Sequence, residues 1–481
     1  MQLKDSSLFL QKAIINGEKI DSDKKIDVIN KATLELIGRI PYLGKKETKE
    51  AILCAENSFN QWRNLTAKDR SIILKNWFKL VIENQDDLAK LIVLEQGKPY
   101  SEAKAEILYA ASYIEWFSEE AKRVYGDVIP SNRKDTRILV LKEPIGVVAT
   151  ITPWNFPAAM LTRKVAPALA VGCSVVSKPS ELTPFTALAL YLLAEKAGLP
   201  KGVWNLIMGD FISIGEELTE NPIVKKISFT GSTKTGSLLM SQSAFSIKKL
   251  SLELGGNAPF LVFEDADIDN AVKGALLSKY RNSGQTCVCV NRFYVQENIA
   301  EEFSHKLSIA VQKLKLGNGW EEGVTQGPLI SEQAILKVEE HLRDAIHKGA
   351  KIICGGNRHS LGKTFFEPTV ILGIDSSMKI AKEETFGPIS GIQVFKSEEE
   401  AIQLANDTPF GLASYFYTKD INRIWRVSEA LETGMIGINE GIISSEQVPF
   451  GGVKQSGFGR EGSKYGVDDY LNIKYLCFGG I

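Results

Sequence analysis

Histidine and cysteine are scarce in this chain: four histidines and six cysteines in 481 residues. His305, His341, His347 and His359 lie among Lys, Glu, Arg or Ser, a setting that predicts solvated helix faces or loops. None stands at metal-ligand spacing from a cysteine, so no metal site is expected. Histidine is also not expected to be a general base. Six cysteines are too few to staple so long a chain, and a reducing compartment fits them. Charge of one sign is missing as well. A formal net charge of −1 gives no electrostatic reason for nucleic acid or an anionic membrane as partner. Long apolar runs are absent, and stretches such as APALAVGCSVV are too short to span a bilayer. The N-terminus has neither a signal-peptide core nor the Arg-rich pattern of a transit peptide. The expected location is the cytoplasm.

What is present is the composition of an ordinary globular protein, 44% hydrophobic and 24% charged. The length predicts two or three domains. From Glu47 to Tyr125, apolar residues recur at three- and four-residue spacing and predict helices. From Pro144 the rhythm changes to short apolar runs separated by helical patterns, the signature of βαβ units and a parallel sheet. A second such block runs from about Gly255 to Asn439. Two segments fit neither block. Residues 125–144 read as an extended hairpin, and the tail from Gly466 alternates like a strand. Neither could bury its apolar side alone. Each could pair with another subunit or dock on its own domain.

Open α/β sheets place ligand sites at the carboxyl ends of their strands, and four motifs fall there. In TPWNFP two prolines stiffen a loop that presents Asn155, whose amide could donate to a developing oxyanion or make a local turn bond. In SKPSE, Lys178 and Glu181 suit a ribose or phosphate, or form a surface charge pair. In SFTGSTKTG, Gly231 allows close backbone approach before a helix N-terminus that favours anions. A plain glycine turn with a Ser or Thr cap is the competing reading. In LELGGNAPF, Glu253 lies in an apolar strand, where burial would raise its pKa toward that of a general base, or it pairs with a Lys or Arg.

The stretch YRNSGQTCVCVNRF holds Cys287 and Cys289 one residue apart. Cys287 follows GQT and sits among polar residues, as a nucleophile would; an inert buried thiol is the alternative. In an extended chain the two Cα atoms would lie roughly 6–7 Å apart, at the edge of disulfide geometry.

These motifs, with EETFGP at Glu383–Pro388 and PFGGVKQSGFGREG at Pro449–Gly462, resemble the NAD(P)-dependent aldehyde dehydrogenases in order and spacing along essentially the whole chain. Within that family the chain is most similar to the branch that oxidises succinate semialdehyde. The resemblance implies an α/β fold of two doubly wound Rossmann-like domains plus a small β flap. Residues 1–124 and 145–254 would bind cofactor and 255–440 would carry catalysis. Segments 125–144 and 461–481 would join protomers into a homo-oligomer, dimer or tetramer. It implies Cys287 as nucleophile, Glu253 as the base that activates water, and Asn155 with the Cys287 N–H as oxyanion donors. Trp154, Asn155, Lys178, Ser180, Glu181, Gly231, Ser232, Leu254, Glu384 and Phe386 would contact the cofactor. Glu384 would take the nicotinamide ribose and Ser232 the pyrophosphate. Arg163, Arg281 and Ser444 would grip the far carboxylate of the semialdehyde. Glu181 could bond both ribose hydroxyls and would repel a 2′-phosphate, so NAD is expected over NADP, with NADP an alternative. Cys289 is the candidate partner of Cys287 in a reversible, silencing disulfide. The competing functions are oxidation of glutarate semialdehyde, one methylene longer, and a non-catalytic binding role. A cysteine hydrolase would leave FTGS unexplained.

Overall fold

The computed structural model describes residues 2–480. Its first sheet runs in the order Glu18–Ile20, Ala13–Ile15, Trp204–Leu206, Ser174–Lys178, Val147–Ile151, Val224–Thr230, Lys249–Glu253, Gly457–Phe458. The five strands from Trp204–Leu206 to Lys249–Glu253 pair in parallel. Taken in chain order they lie 3-2-1-4-5, so the winding reverses between Val147–Ile151 and Val224–Thr230. A doubly wound sheet opens its ligand crevice at that reversal, beyond the carboxyl ends of the strands. The loops leaving those two strands are TPWNFP and TGST.

The second sheet is ordered Lys351–Cys354, Thr369–Leu372, Ile389–Phe395, Val290–Gln296, Ala258–Val262, Ala413–Tyr417, Met435–Ile438. Only its edge strand Lys351–Cys354 is antiparallel. Every residue of Ala258–Val262 and Ala413–Tyr417 is buried, as expected for strands covered by helices on both faces.

The N-terminal helices pack on the first sheet. Thr66 caps Ala67–Glu83 by accepting from the Asp69 N–H, and Leu74, Trp77 and Val81 form its buried stripe. The helices break at Asn84, and a separate helix covers Gln85–Glu95. Helix Ala159–Val171 ends at Gly172, whose φ of 102° turns the chain at once into the strand Ser174–Lys178.

The hairpin Asp127–Ile129 and Thr136–Pro144 forms a third, three-stranded sheet with Leu471–Gly479. The tail is a strand only from Leu471; Lys464–Tyr470 is a 3₁₀ turn whose Tyr470 packs into the N-terminal core. Val128, Ile473 and Tyr475 on this sheet are exposed. Among the described residues no helix is long and apolar enough to cross a membrane.

Candidate active site

Cys287 and Val288 form the centre of a turn closed by the Cys289 N–H donating to the Thr286 carbonyl at 3.0 Å. The segment is therefore not extended, as the spacing of the two thiols had assumed. Both cysteines are free. Cys289 is buried behind the turn, where its thiol donates to the Lys279 carbonyl at 3.3 Å. Cys287 faces the other way, into two cavities.

The first cavity, about 590 Å³ with its open mouth, lies at the reversal point of the first sheet. Pro153, Trp154 and Asn155 line one side, Thr230, Gly231 and Ser232 another, and Leu254, Gly255, Glu384, Phe386 and Cys287 complete it. The Trp154 and Phe386 rings meet edge to face at 5.7 Å. Ser232 is the N-cap of helix Thr233–Ser243 and accepts from the Thr235 N–H. The helix N-terminus thus opens on the cavity and favours an anion there. The hydroxyl oxygen of Thr230 is buried with no partner among the described residues, a polar atom left for a ligand.

Two glycines let the remaining wall close up. Gly256 donates its N–H to Glu384 at 3.1 Å, and a Cβ on it would stand 2.5 Å from the Cys287 carbonyl oxygen. Burial pushes the Glu384 carboxyl up to about 7, against the Gly256 hydrogen bond that favours its charge. A ribose hydroxyl offered to this carboxyl would supply the hydrogen bond that solvent no longer does. These features fit a dinucleotide: an anion-favouring helix end, orphaned hydroxyl, apolar walls and a carboxyl set beside a glycine pair.

Lys178, Ser180 and Glu181 lie outside this lining, at the end of the adjacent strand. The Thr152 N–H donates to the Lys178 carbonyl, which ties that strand end to TPWNFP. Lys178 and Glu181 are paired with each other and mostly buried, so neither is a loose surface charge.

The second cavity, about 300 Å³, holds Arg163, Arg281, Ser444 and Cys287 together with Tyr109, Phe156, Met160, Thr286, Val288 and Phe450. All three residues expected to bind a carboxylate thus meet there. Arg163 comes from helix Ala159–Val171, Arg281 from the end of Ile268–Lys279, and Ser444 from the segment after Met435–Ile438. Arg163 is buried over the Phe450 ring, 4.5 Å from its centroid. Burial opposes its charge, but Glu461 and two nearby tyrosines hold its pKa above the ordinary value. Its Nη1 and Nη2 have no hydrogen-bond partner among the described residues. Cys287 is the one residue common to both linings.

The Asn155 amide is clamped: its Oδ1 accepts from the Phe156 N–H at 3.1 Å and its Nδ2 donates to the Gln285 carbonyl at 3.1 Å. This fixes which end is nitrogen and leaves one N–H uncommitted. Glu253 ends the strand Lys249–Glu253, fully buried, with no hydrogen bond to either carboxyl oxygen among the described residues. Burial first, and then the Glu461 charge, raise its pKa well above the ordinary carboxylate range. The thiol of Cys287 behaves as burial dictates. Burial pushes it up to about 12, with Arg163 opposing and Glu384 and Glu253 adding. Burial therefore favours the protonated thiol over the anion.

Sequence reading missed the ions beneath this site. Lys164 and Glu461 are buried and paired, and Glu461 also pairs with Arg163. A lysine and an arginine adjacent in an otherwise apolar helix were the available signal. It also misplaced His341, which is fully buried rather than solvated. His341 Nδ1 lies 2.8 Å from Thr385 Oγ1 and Nε2 lies 3.3 Å from Glu383, on either side of Glu384. Its neighbours in sequence are charged, but helix Glu332–His347 turns this one position inward.

Comparison with known proteins gives the same picture. The profile described as "Aldehyde dehydrogenase family" matches residues 19–476. A glutarate-semialdehyde dehydrogenase from Pseudomonas aeruginosa is 59% identical, covering 100% of both chains. A succinate-semialdehyde dehydrogenase [NADP(+)] from Escherichia coli is 58% identical over 100% of each. The crystal structure of a succinate-semialdehyde dehydrogenase from Burkholderia pseudomallei superposes with a TM-score of 0.99 at 59% identity, covering 100% of each chain. With a sulfur set between a dinucleotide-shaped crevice and an arginine-lined cavity, and a match along nearly its whole length, this chain belongs to the aldehyde dehydrogenase family.

Proposed function

We propose that the chain oxidises succinate semialdehyde to succinate with NAD(P), preferring NAD, through a thioester on Cys287. The observation that carries this reading is the position of Cys287 in the linings of both cavities, one fit for a dinucleotide and the other holding two arginines. The guanidinium groups of Arg163 and Arg281, with Ser444, take the substrate carboxylate by charge-assisted hydrogen bonds. The aldehyde carbon then faces the sulfur. The sulfur gives up its proton to water and adds to that carbon as the carbonyl π bond breaks, and the uncommitted Asn155 N–H and the Cys287 N–H hold the resulting oxyanion. When bound, the nicotinamide supplies the hydride acceptor that turns the thiohemiacetal into a thioester. Glu253, once ionised, takes a proton from water, the hydroxide adds to the thioester, and the C–S bond breaks to release succinate.

Glu384, Phe386, Trp154, Ser232, Gly231 and Leu254 hold the cofactor in the first cavity, with Lys178, Ser180 and Glu181 at its edge. Residues 1–124 and 145–254 make the cofactor-binding domain and 255–440 the catalytic domain. Segments 125–144 and 461–481 join protomers of a cytoplasmic homo-oligomer. Cys289 is the candidate partner of Cys287 in a reversible, silencing disulfide, and forming it takes the Cys289 thiol off the Lys279 carbonyl.

Two relatives of equal similarity carry different names, glutarate- and succinate-semialdehyde dehydrogenase. One methylene is worth only about 1–3 kcal/mol in an apolar pocket, so the second reading is the five-carbon semialdehyde. Comparing kcat/KM for the two semialdehydes ranks them, and a higher value for the five-carbon compound displaces the first. Comparing kcat/KM for NAD and NADP tests the cofactor preference in the same assay.

A further inference from the structure

Lys98 lies between helices Gln85–Glu95 and Tyr100–Glu120 and is fully buried, though nothing in the reaction above uses it. Its ammonium donates to Glu106 Oε2 at 2.5 Å and to the Asn155 carbonyl at 2.8 Å. It also stands 3.8 Å from the centroid of the Phe156 ring. Arg281 approaches that ring as well, at 5.4 Å, so two cations stand against Phe156. The other oxygen of Glu106 accepts from the Ala158 N–H at 2.9 Å. One buried charge pair therefore contacts three residues of the loop that carries Asn155.

A second set of bonds points the same way. The Asn155 carbonyl also accepts from Asn282 Nδ2 at 3.0 Å. Gln96 Nε2 donates to Asn282 Oδ1 at 2.8 Å, and Gln96 Oε1 accepts from the Lys98 N–H at 2.9 Å. The chain from Gln96 to Lys98 thus ties the Asn155 loop to the segment that leads into Cys287. A buried ion pair adds little net stability compared with apolar side chains of the same volume. Its use here is geometric, because loop backbone needs a fixed partner if its side chain is to be held within a fraction of an ångström.

We propose that Lys98 is a positioning residue for the reaction: it fixes the Asn155–Ala158 loop so that the free Asn155 N–H and the Phe156 ring face the substrate carbon. This rests on the reading of Asn155 as an oxyanion donor. The test is a double-mutant cycle on the full-length enzyme with semialdehyde and NAD. Lys98→Met should lower kcat by about ten- to a hundredfold, the penalty of a small misplacement, with KM for NAD changed by less than about twofold. In an Asn155→Ala background the same substitution should cost less than about threefold, since the oxyanion donor it aims is gone and only the Phe156 ring remains to be placed. Lys98→Met leaves Glu106 buried without its cation, so Lys98→Met/Glu106→Gln removes both charges of the pair together, with the fold verified by circular dichroism. It should stay slow, whereas a role limited to charge balance would restore the full rate. Equal cost in both Asn155 backgrounds, or full recovery in the neutral double variant, overturns the inference. Asn155→Ala alone, if as fast as the unsubstituted chain, overturns the oxyanion reading on which it stands.

Discussion

At Cys287 burial and reactivity pull in opposite directions. The same enclosure that would shield the proposed thioester from stray water also pushes the thiol up to about 12. Below that value each pH unit raises the thiolate fraction tenfold. Iodoacetamide should therefore alkylate Cys287 in the cofactor-free protein about tenfold faster per unit between about pH 7 and pH 10, without the plateau of an ordinary thiol. Peptide mapping of the alkylated sulfur checks this; levelling near pH 8 contradicts it. Asn155→Ala should lower kcat by about 10²–10³, read from steady-state rates with the fold verified by circular dichroism. For Glu384 the linkage runs from acid to base. Its carboxyl, held at about 7 by burial, binds more protons in the folded chain than in the unfolded one above the ordinary carboxylate value. Stability is then lost as pH rises from about 4.5 through about 7. Glu384→Gln should raise Tm more at pH 8 than at pH 5, and weaken cofactor binding measured by fluorescence titration.

The elements were legible where periodicity and burial agree. The strands IGVVATI, CSVV and ISFT read as continuous apolar runs because helices cover both faces of the sheet. Motifs at their ends were legible as possible sites because doubly wound sheets open there. What periodicity cannot show is which charged residue turns inward. Lys98, His341 and Glu461 sit in polar-looking segments and Lys164 in an apolar helix, and only long-range partners decide that these charged or polar groups are buried. The turn at Cys287 was not legible in the sequence, because the bond from the Cys289 N–H to the Thr286 carbonyl is what closes it. The helix Ala67–Glu83 offers a stability test free of the site. Trp77 is buried against Trp204, with its indole N–H donated to the Leu190 carbonyl at 3.0 Å. Trp77→Ala should cost about 3–5 kcal/mol, measured by urea unfolding.

For the whole molecule, the arrangement of sheets sets the chemistry. The chain crosses from the first sheet to the second at Gly255–Gly256 and returns at Gly457–Phe458, so that Glu461 comes to lie beneath Glu253. The third sheet leaves Ile473 at 74% and Tyr475 at 70% exposure, an apolar edge that a protomer alone does not cover. Ile473→Asp/Tyr475→Asp should shift the mass found by analytical ultracentrifugation toward that of one chain; an unchanged mass removes this sheet from the interface.

The central claim is a thioester on one sulfur, and it can be caught. Glu253→Gln should slow release of the acid, so the variant mixed once with succinate semialdehyde and NAD should be quenched in acid and mapped by peptide mass. A succinyl group on the Cys287 peptide, in step with the reduced nicotinamide formed, is the predicted result. Reduced nicotinamide with no acyl group on Cys287 would contradict the account.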